Sequence, residues 1–156
     1  MSDATQGQAP QQPVTIHAQY IKDLSFENPR APDSLRLTAE PQFKVNIQSA
    51  ARNLSGQTFE VQLTVEVEGK DPQGEVIFML ELAYCAIATI AVPQEHVGPV
   101  LGIHIPMLAF PFARSIIAQT MGNAGLPPLM LNPVDFGALY QQQLANQPGG
   151  QVVGNA

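Results

Sequence analysis

Charge is scarce in this chain. Asp, Glu, Lys and Arg make up 13% of its 156 residues, about half of the roughly 25% usual in a soluble domain. Only 7 are Lys or Arg, none of them in a run, and the formal net charge is −6. Nucleic acid and anionic membrane both recruit clustered cations, so neither fits as a partner, and a basic partner fits better. Cysteine is nearly missing as well, with Cys85 standing alone inside an apolar stretch. One thiol makes neither an internal disulfide nor a multi-cysteine zinc site, which suits a reducing cytoplasm. The segment 1–13 has no basic side chain and no apolar run of the kind a secretory signal needs.

Catalytic motifs are absent too. The chain has no HExxH, no CxxC and no glycine-rich phosphate loop. His96 and His104 are separated by glycine and proline and do not form a helical ligand pair, while His17 stands far from both. Cys85 has no adjacent cation to lower its pKa and reads as a structural thiol. Glu66 and Glu68 share a strand face, yet they end a polar stripe that reads as solvated surface. The expectation is no catalytic site, no metal site and no cofactor.

What is present is apolar and ordered in its spacing. Hydrophobic residues make up 45% of the chain. So little charge leaves the surface to be covered by Gln and Asn, or by another subunit. Residues 1–13 and 145–156 are rich in Gln, Pro, Gly and Asn, and are expected to form flexible tails around one domain, 14–144. Period-2 alternation predicts a strand over Val14–Glu27, with its even positions from Val14 to Phe26 mostly apolar. Phe43, Val45 and Ile47 alternate with polar residues in a second strand, and Phe59 to Val67 alternate with Glu60 to Glu68 in a third. Val76–Val92 is the only stretch that invites a membrane reading. It is slightly short, contains Glu81 and favours β residues, so it is read as a buried fourth strand.

Short turns between the strands favour an antiparallel meander. Pro93–Ile105 is interrupted by Gly98, Pro99 and Gly102, with Pro106 just beyond, and is expected to be irregular. Phe110, Ala113, Ile117 and Met121 predict a helix that starts near Pro111 and ends at Gly122–Gly125. Pro127 and Pro128 force the segment 126–131 (LPPLML) to be extended. A last helix is expected to begin with Asn132 as its cap and Pro133 at its first position, with a stripe of Phe136, Leu139, Tyr140 and Leu144. The class is α+β, a four-stranded sheet followed by two main helices.

The apolar residues exceed what one core needs. Sheet and first helix already supply that core, so LPPLML and the last helix leave apolar surface over, and such surface is usually an interaction site. A small apolar-ligand carrier and a general peptide-binding module fit this pattern as well. Asp23 with Glu27, and Met79 with Glu81, share strand faces and suggest an acidic sheet surface, for which Glu60, Glu66 and Glu68 are further candidates.

Four segments carry a resemblance: YIKDLSFENPRAP (20–32), FEVQLTVEVEGK (59–70), FPFAR (110–114) and GLPPLMLNPVDFGALYQQQ (125–143). The chain resembles SecB-type protein-export chaperones over most of 14–144. The resemblance implies a four-stranded antiparallel sheet with two helices on one face, assembled as a dimer of dimers. It implies an ATP-independent holding chaperone that keeps unfolded precursor proteins competent for translocation and delivers them to the SecA translocation ATPase, without direct membrane insertion. The positions that match the peptide groove are Phe43, Val45, Ile47, Leu126, Leu129, Leu131, Phe136, Leu139 and Tyr140. Those that match the SecA-docking face are Asp23, Glu27, Met79 and Glu81.

Overall fold

The computed structural model describes residues 12–36 and 38–146. Of the two expected tails, Pro13 is tied down through its carbonyl, which accepts from the Ala91 N–H at 2.8 Å. At the other end Ala145 closes the last helix. Residues 1–11 and 147–156 of those tails lie outside the described residues.

Four strands form one antiparallel sheet: β1 (Val14–Glu27), β2 (Gln42–Ser55), β3 (Thr58–Lys70) and β4 (Val76–Ile90), in the order β1-β4-β3-β2. The expected meander holds for β2, β3 and β4 only. β1 pairs with β4 instead of β2, because the connection 28–41 is long enough to cross the sheet end to the far edge. That crossing is pinned midway. Arg30 Nη1 donates to Asp71 Oδ2 at 2.7 Å, and Asp71 Oδ1 accepts the Gln73 and Glu75 backbone N–H groups in the β3–β4 turn. The guanidinium, then the backbone donors, hold the Asp71 carboxyl below its ordinary range.

Parity along β3 and β4 separates two faces. Phe59, Val61, Leu63, Val65 and Val67 of β3 join Phe78, Leu80, Leu82, Tyr84, Ala86, Ala88 and Ile90 of β4 in the core under the helices. In β1 the strict alternation is broken by register shifts at His17 and Lys22. Val14, Ile16 and Phe26 face the helices, whereas Tyr20 and Lys22 both reach Glu60 on the outer face. Each bulge turns the following residues over, as an extra residue in one strand must.

The segment after β4 is helical where irregular chain was expected. Gln94–Asn123 runs through α1 (Gln94–Pro99), a π turn (Val100–His104) and α2 (Ile105–Asn123). The wider turn accommodates the prolines. The Ile105 N–H donates five residues back to the Val100 carbonyl, Pro106 follows within the continuous helix, and Pro111, expected near the helix start, lies in its interior. By length and composition it is this helix, and not the fourth strand, that is apolar enough to cross a membrane. Its Ile105, Ala109, Phe110, Ala113, Ile117 and Met121 are buried against the sheet, the pattern of a core helix. After the extended 127–135, α3 (Phe136–Ala145) begins later than Asn132. Asp135 is its cap and accepts the Ala138 N–H at 2.9 Å. The fourth strand ends at Ile90, two residues short of Val92.

Candidate functional site

The two sides of the sheet carry different chemistry. On the helix side, β2 is an edge strand, and its inward residues are incompletely covered: Phe43 and Val45 are 41% and 40% exposed, and Ile47 is half-buried. Phe43 leans on Phe78 with centroids 6.1 Å apart, and Phe78 stacks on Phe26 at 5.9 Å. These rings continue into the crossover segment. Leu126 and Leu129 are half-buried against the core, Met130 is exposed, and Leu131 is buried. On α3, Phe136 is buried edge-on to Phe110, with centroids 5.9 Å apart. Leu139 and Tyr140 are half-buried. The nine groove positions therefore lie on one side of the sheet. Of them Leu131 and Phe136 are buried, and Phe43 and Val45 stand open. Nearer the start of α1, a crevice of about 770 Å³ lies between Ser49–Ala51 of β2, Gly98–Gly102, and Tyr140 with Leu144 of α3.

The outer face is polar and carries the acidic residues. Asp23, Glu27, Met79 and Glu81 are all exposed there, and the register sets Glu27 beside Met79, Ser25 beside Glu81, and Asp23 beside Ala83. From the other side β3 brings Glu68 opposite Met79 and Glu66 opposite Glu81. Like charges directly opposite across strands cost stability, and here the relief is partial. Glu66 accepts from Asn46 Nδ2 at 3.3 Å and Glu68 meets Lys70 Nζ at 3.1 Å. The sequence offers Glu66 and Glu68 only as further candidates for this surface. Register brings them to the acidic patch, and register is not visible in strand periodicity.

Towards the other end of the same face the balance is different. Glu60 is buried, and takes hydrogen bonds from the Tyr20 hydroxyl, from Lys22 Nζ at 3.0 Å and from Arg52 Nη2 at 3.2 Å. The Tyr20 hydroxyl, then Lys22, hold the Glu60 carboxyl below its ordinary range against the opposing pull of burial. Burial first, then the Glu60 carboxylate, pushes the Tyr20 hydroxyl up. Cys85 is fully buried beside them, and burial raises its thiol well away from the reactive thiolate form. This constellation satisfies its own charges and leaves no activated nucleophile. Among the described residues no cluster of His, Cys, Asp and Glu has the makings of a metal site.

The family model described as "SecB: Preprotein translocase subunit SecB" matches residues 7–147. A protein-export protein SecB from Bradyrhizobium diazoefficiens is 49% identical over 148 residues, covering 92% of this chain and 91% of that one. Another from Rhodospirillum rubrum is 46% identical over 147 residues, with the same two coverages. Among solved structures, the Mycobacterium tuberculosis Rv1957 SecB-like chaperone, in complex with a ChAD peptide from the Rv1956 HigA1 antitoxin, superposes with a TM-score of 0.64. It is 12% identical, and the match covers 78% of this chain and 91% of that one. At that identity the likeness is one of fold.

Proposed function

The chain belongs to the SecB family, and from this we propose how it works as a holding chaperone for protein export. The observation that carries the reading is the half-covered apolar strip on the helix side of β2, continuous with the crossover segment and α3. An unfolded precursor lays an apolar or aromatic stretch along Phe43, Val45 and Ile47, under Leu126, Leu129 and Leu139, with Tyr140 at the rim and Leu131 and Phe136 as floor. The free edge of β2 offers backbone hydrogen bonds to the same extended stretch. Burying roughly 400 Å² of apolar surface gives about 10 kcal/mol gross. Ordering about six client residues at about 1–2 kcal/mol each takes back most of it. One groove binds weakly, and several grooves on one assembly bind well through effective concentration.

Assembly as a dimer of dimers fits the bare apolar residues. Met107, Leu108 and Phe112 project from the exposed side of α2, and Ile21 and Leu24 from the edge strand β1. The acidic outer face, with Asp23, Glu27, Met79 and Glu81, is suited to a basic tail of the SecA motor, its exposed methionine giving apolar contact at the centre. Client and motor would then meet opposite sides of one sheet in the cytoplasm. Because only the unfolded form of a client is bound, mass action alone keeps it from folding, and neither catalysis nor ATP is required.

The test is calorimetric titration of the assembled protein with a reduced, unfolded precursor and, in parallel, with the same precursor folded. The expected result is binding to the unfolded form alone. Binding to neither, with uptake of a small apolar ligand instead, would replace this reading with that of a carrier.

A further inference from the structure

α3 borders the client groove, yet few contacts hold it. Its first residue, Phe136, is sunk in the core against Phe110. One turn later and on the same face, Tyr140 lies on the π turn, which is the element α3 chiefly packs against. Beyond that, Gln143 Nε2 reaches the Ser49 carbonyl only at 3.5 Å. A rigid rod held at its first turn by Phe136 and Leu139 takes its tilt from the next contact along it, and that contact is the Tyr140 ring.

The seat of that ring is Gly102. A Cβ at position 102 would clash with one edge of the Tyr140 ring, whose Cδ2, Cε2 and Cγ are the three nearest atoms to it. The π turn is what aims this position at α3. One additional residue in the turn shifts the helix phase, so that Val100, Leu101 and Ile105 stay buried against the sheet while Gly102 meets α3. The crevice of about 770 Å³ is bounded by the same residues, Gly98–Gly102 on one wall and Tyr140 with Leu144 on the other. Its width follows from how closely the ring approaches.

We propose that Gly102 is a positioning residue for client binding: by admitting the Tyr140 ring to the π turn it sets the tilt of α3 and so the width of the groove. It acts through Tyr140 and does not itself hold the client. The proposal rests on the reading of this side of the sheet as the client surface.

The experiment is a double-mutant cycle on the assembled protein, with Gly102→Ala, Tyr140→Leu and the two together. Each is titrated with one reduced, unfolded precursor, and amide hydrogen exchange is followed in α3 and in the sheet. Gly102→Ala is expected to raise the client dissociation constant about tenfold in the native background and less than about twofold beside Tyr140→Leu, where no ring is displaced. Exchange should quicken in α3 and stay unchanged in β3 and β4. An equal effect of Gly102→Ala in both backgrounds overturns the proposal, since the glycine would then act through the helix backbone. So does unaltered client affinity. If Gly102→Ala does not assemble, Tyr140→Leu alone decides, and must both quicken α3 exchange and weaken the client. If the unaltered protein ignores the unfolded precursor, the chaperone reading falls together with this one; if it binds and Gly102→Ala binds equally well, only this one falls.

Discussion

Phe43→Ala separates binding from folding. Phe43 is 41% exposed, so of a side chain presenting about 200 Å², about 80 Å² stands open in the empty groove. Covering that area with client at about 25 cal/mol/Å² contributes about 2 kcal/mol, close to a 30-fold change in affinity for one groove. The covered remainder, about 120 Å², contributes at most about 3 kcal/mol to folding, an upper bound because the unfolded chain already buries part of its surface. Phe78, 1% exposed at the centre of the same aromatic trio, is the contrast. All of its area belongs to the fold, and Phe78→Ala should cost about 3–5 kcal/mol of stability. The assay pairs urea unfolding with calorimetry against an unfolded precursor, well inside the folded baseline. Phe43→Ala should remain assembled and lose client affinity by about one to two orders of magnitude. Unchanged affinity, with precursor binding otherwise intact, would show that clients do not touch the β2 rim.

Two further outcomes follow from the charges. Asp23→Lys with Glu27→Lys, both exposed on the outer face, should abolish docking of the SecA motor while the mass of the assembly in light scattering stays constant; retained docking in a pull-down would remove the outer face from that role. Glu60 and Asp71 have folded-state pKa values below their unfolded ones, so their contribution is present above the ordinary carboxylate range and is lost as pH falls through the folded values. Arg30→Ala lifts the main cause of the Asp71 depression. Its melting temperature should lie below that of the native chain at pH 7, with the gap closing as the solution is acidified; a gap that is constant with pH would refute the clamp.

Strand identity was legible wherever side chains alternate between covered and open, as in Phe59–Val67, because period 2 follows directly from the pleat. Pairing order was not. Nothing in Val14–Glu27 says that its partner is β4, since both edges of a sheet accept an antiparallel neighbour and only the length of 28–41 permits the crossing. The helix was missed over 94–109 because Gly98, Pro99, Gly102 and Pro106 are ordinary helix breakers, and the π turn that tolerates them depends on tertiary packing. Asn132 and Asp135 are equally good caps by residue type, and only the hydrogen bond to Ala138 distinguishes them. In the groove, parity put Phe43, Val45 and Ile47 together. That Leu131 and Phe136 are buried there depends on depth, which periodicity does not carry.

Sheet parity decides which mutations this fold can absorb. On β4 the neighbours Met79 and Leu80 look to opposite sides, so exchanging one residue for another alters one surface and leaves its reverse untouched. The two surfaces are free to diverge separately across a wall one backbone thick. Adding or deleting a residue within β4 ahead of Glu81 is different, since it would turn Glu81 inward and Leu82 outward together. β1 has a neighbour on one side only, and it already carries two such additions, at His17 and Lys22. Changes of chain length are therefore affordable at this border of the sheet, and beside the β3–β4 turn, where Ile77 is one such addition, but not along the central span of β3 and β4.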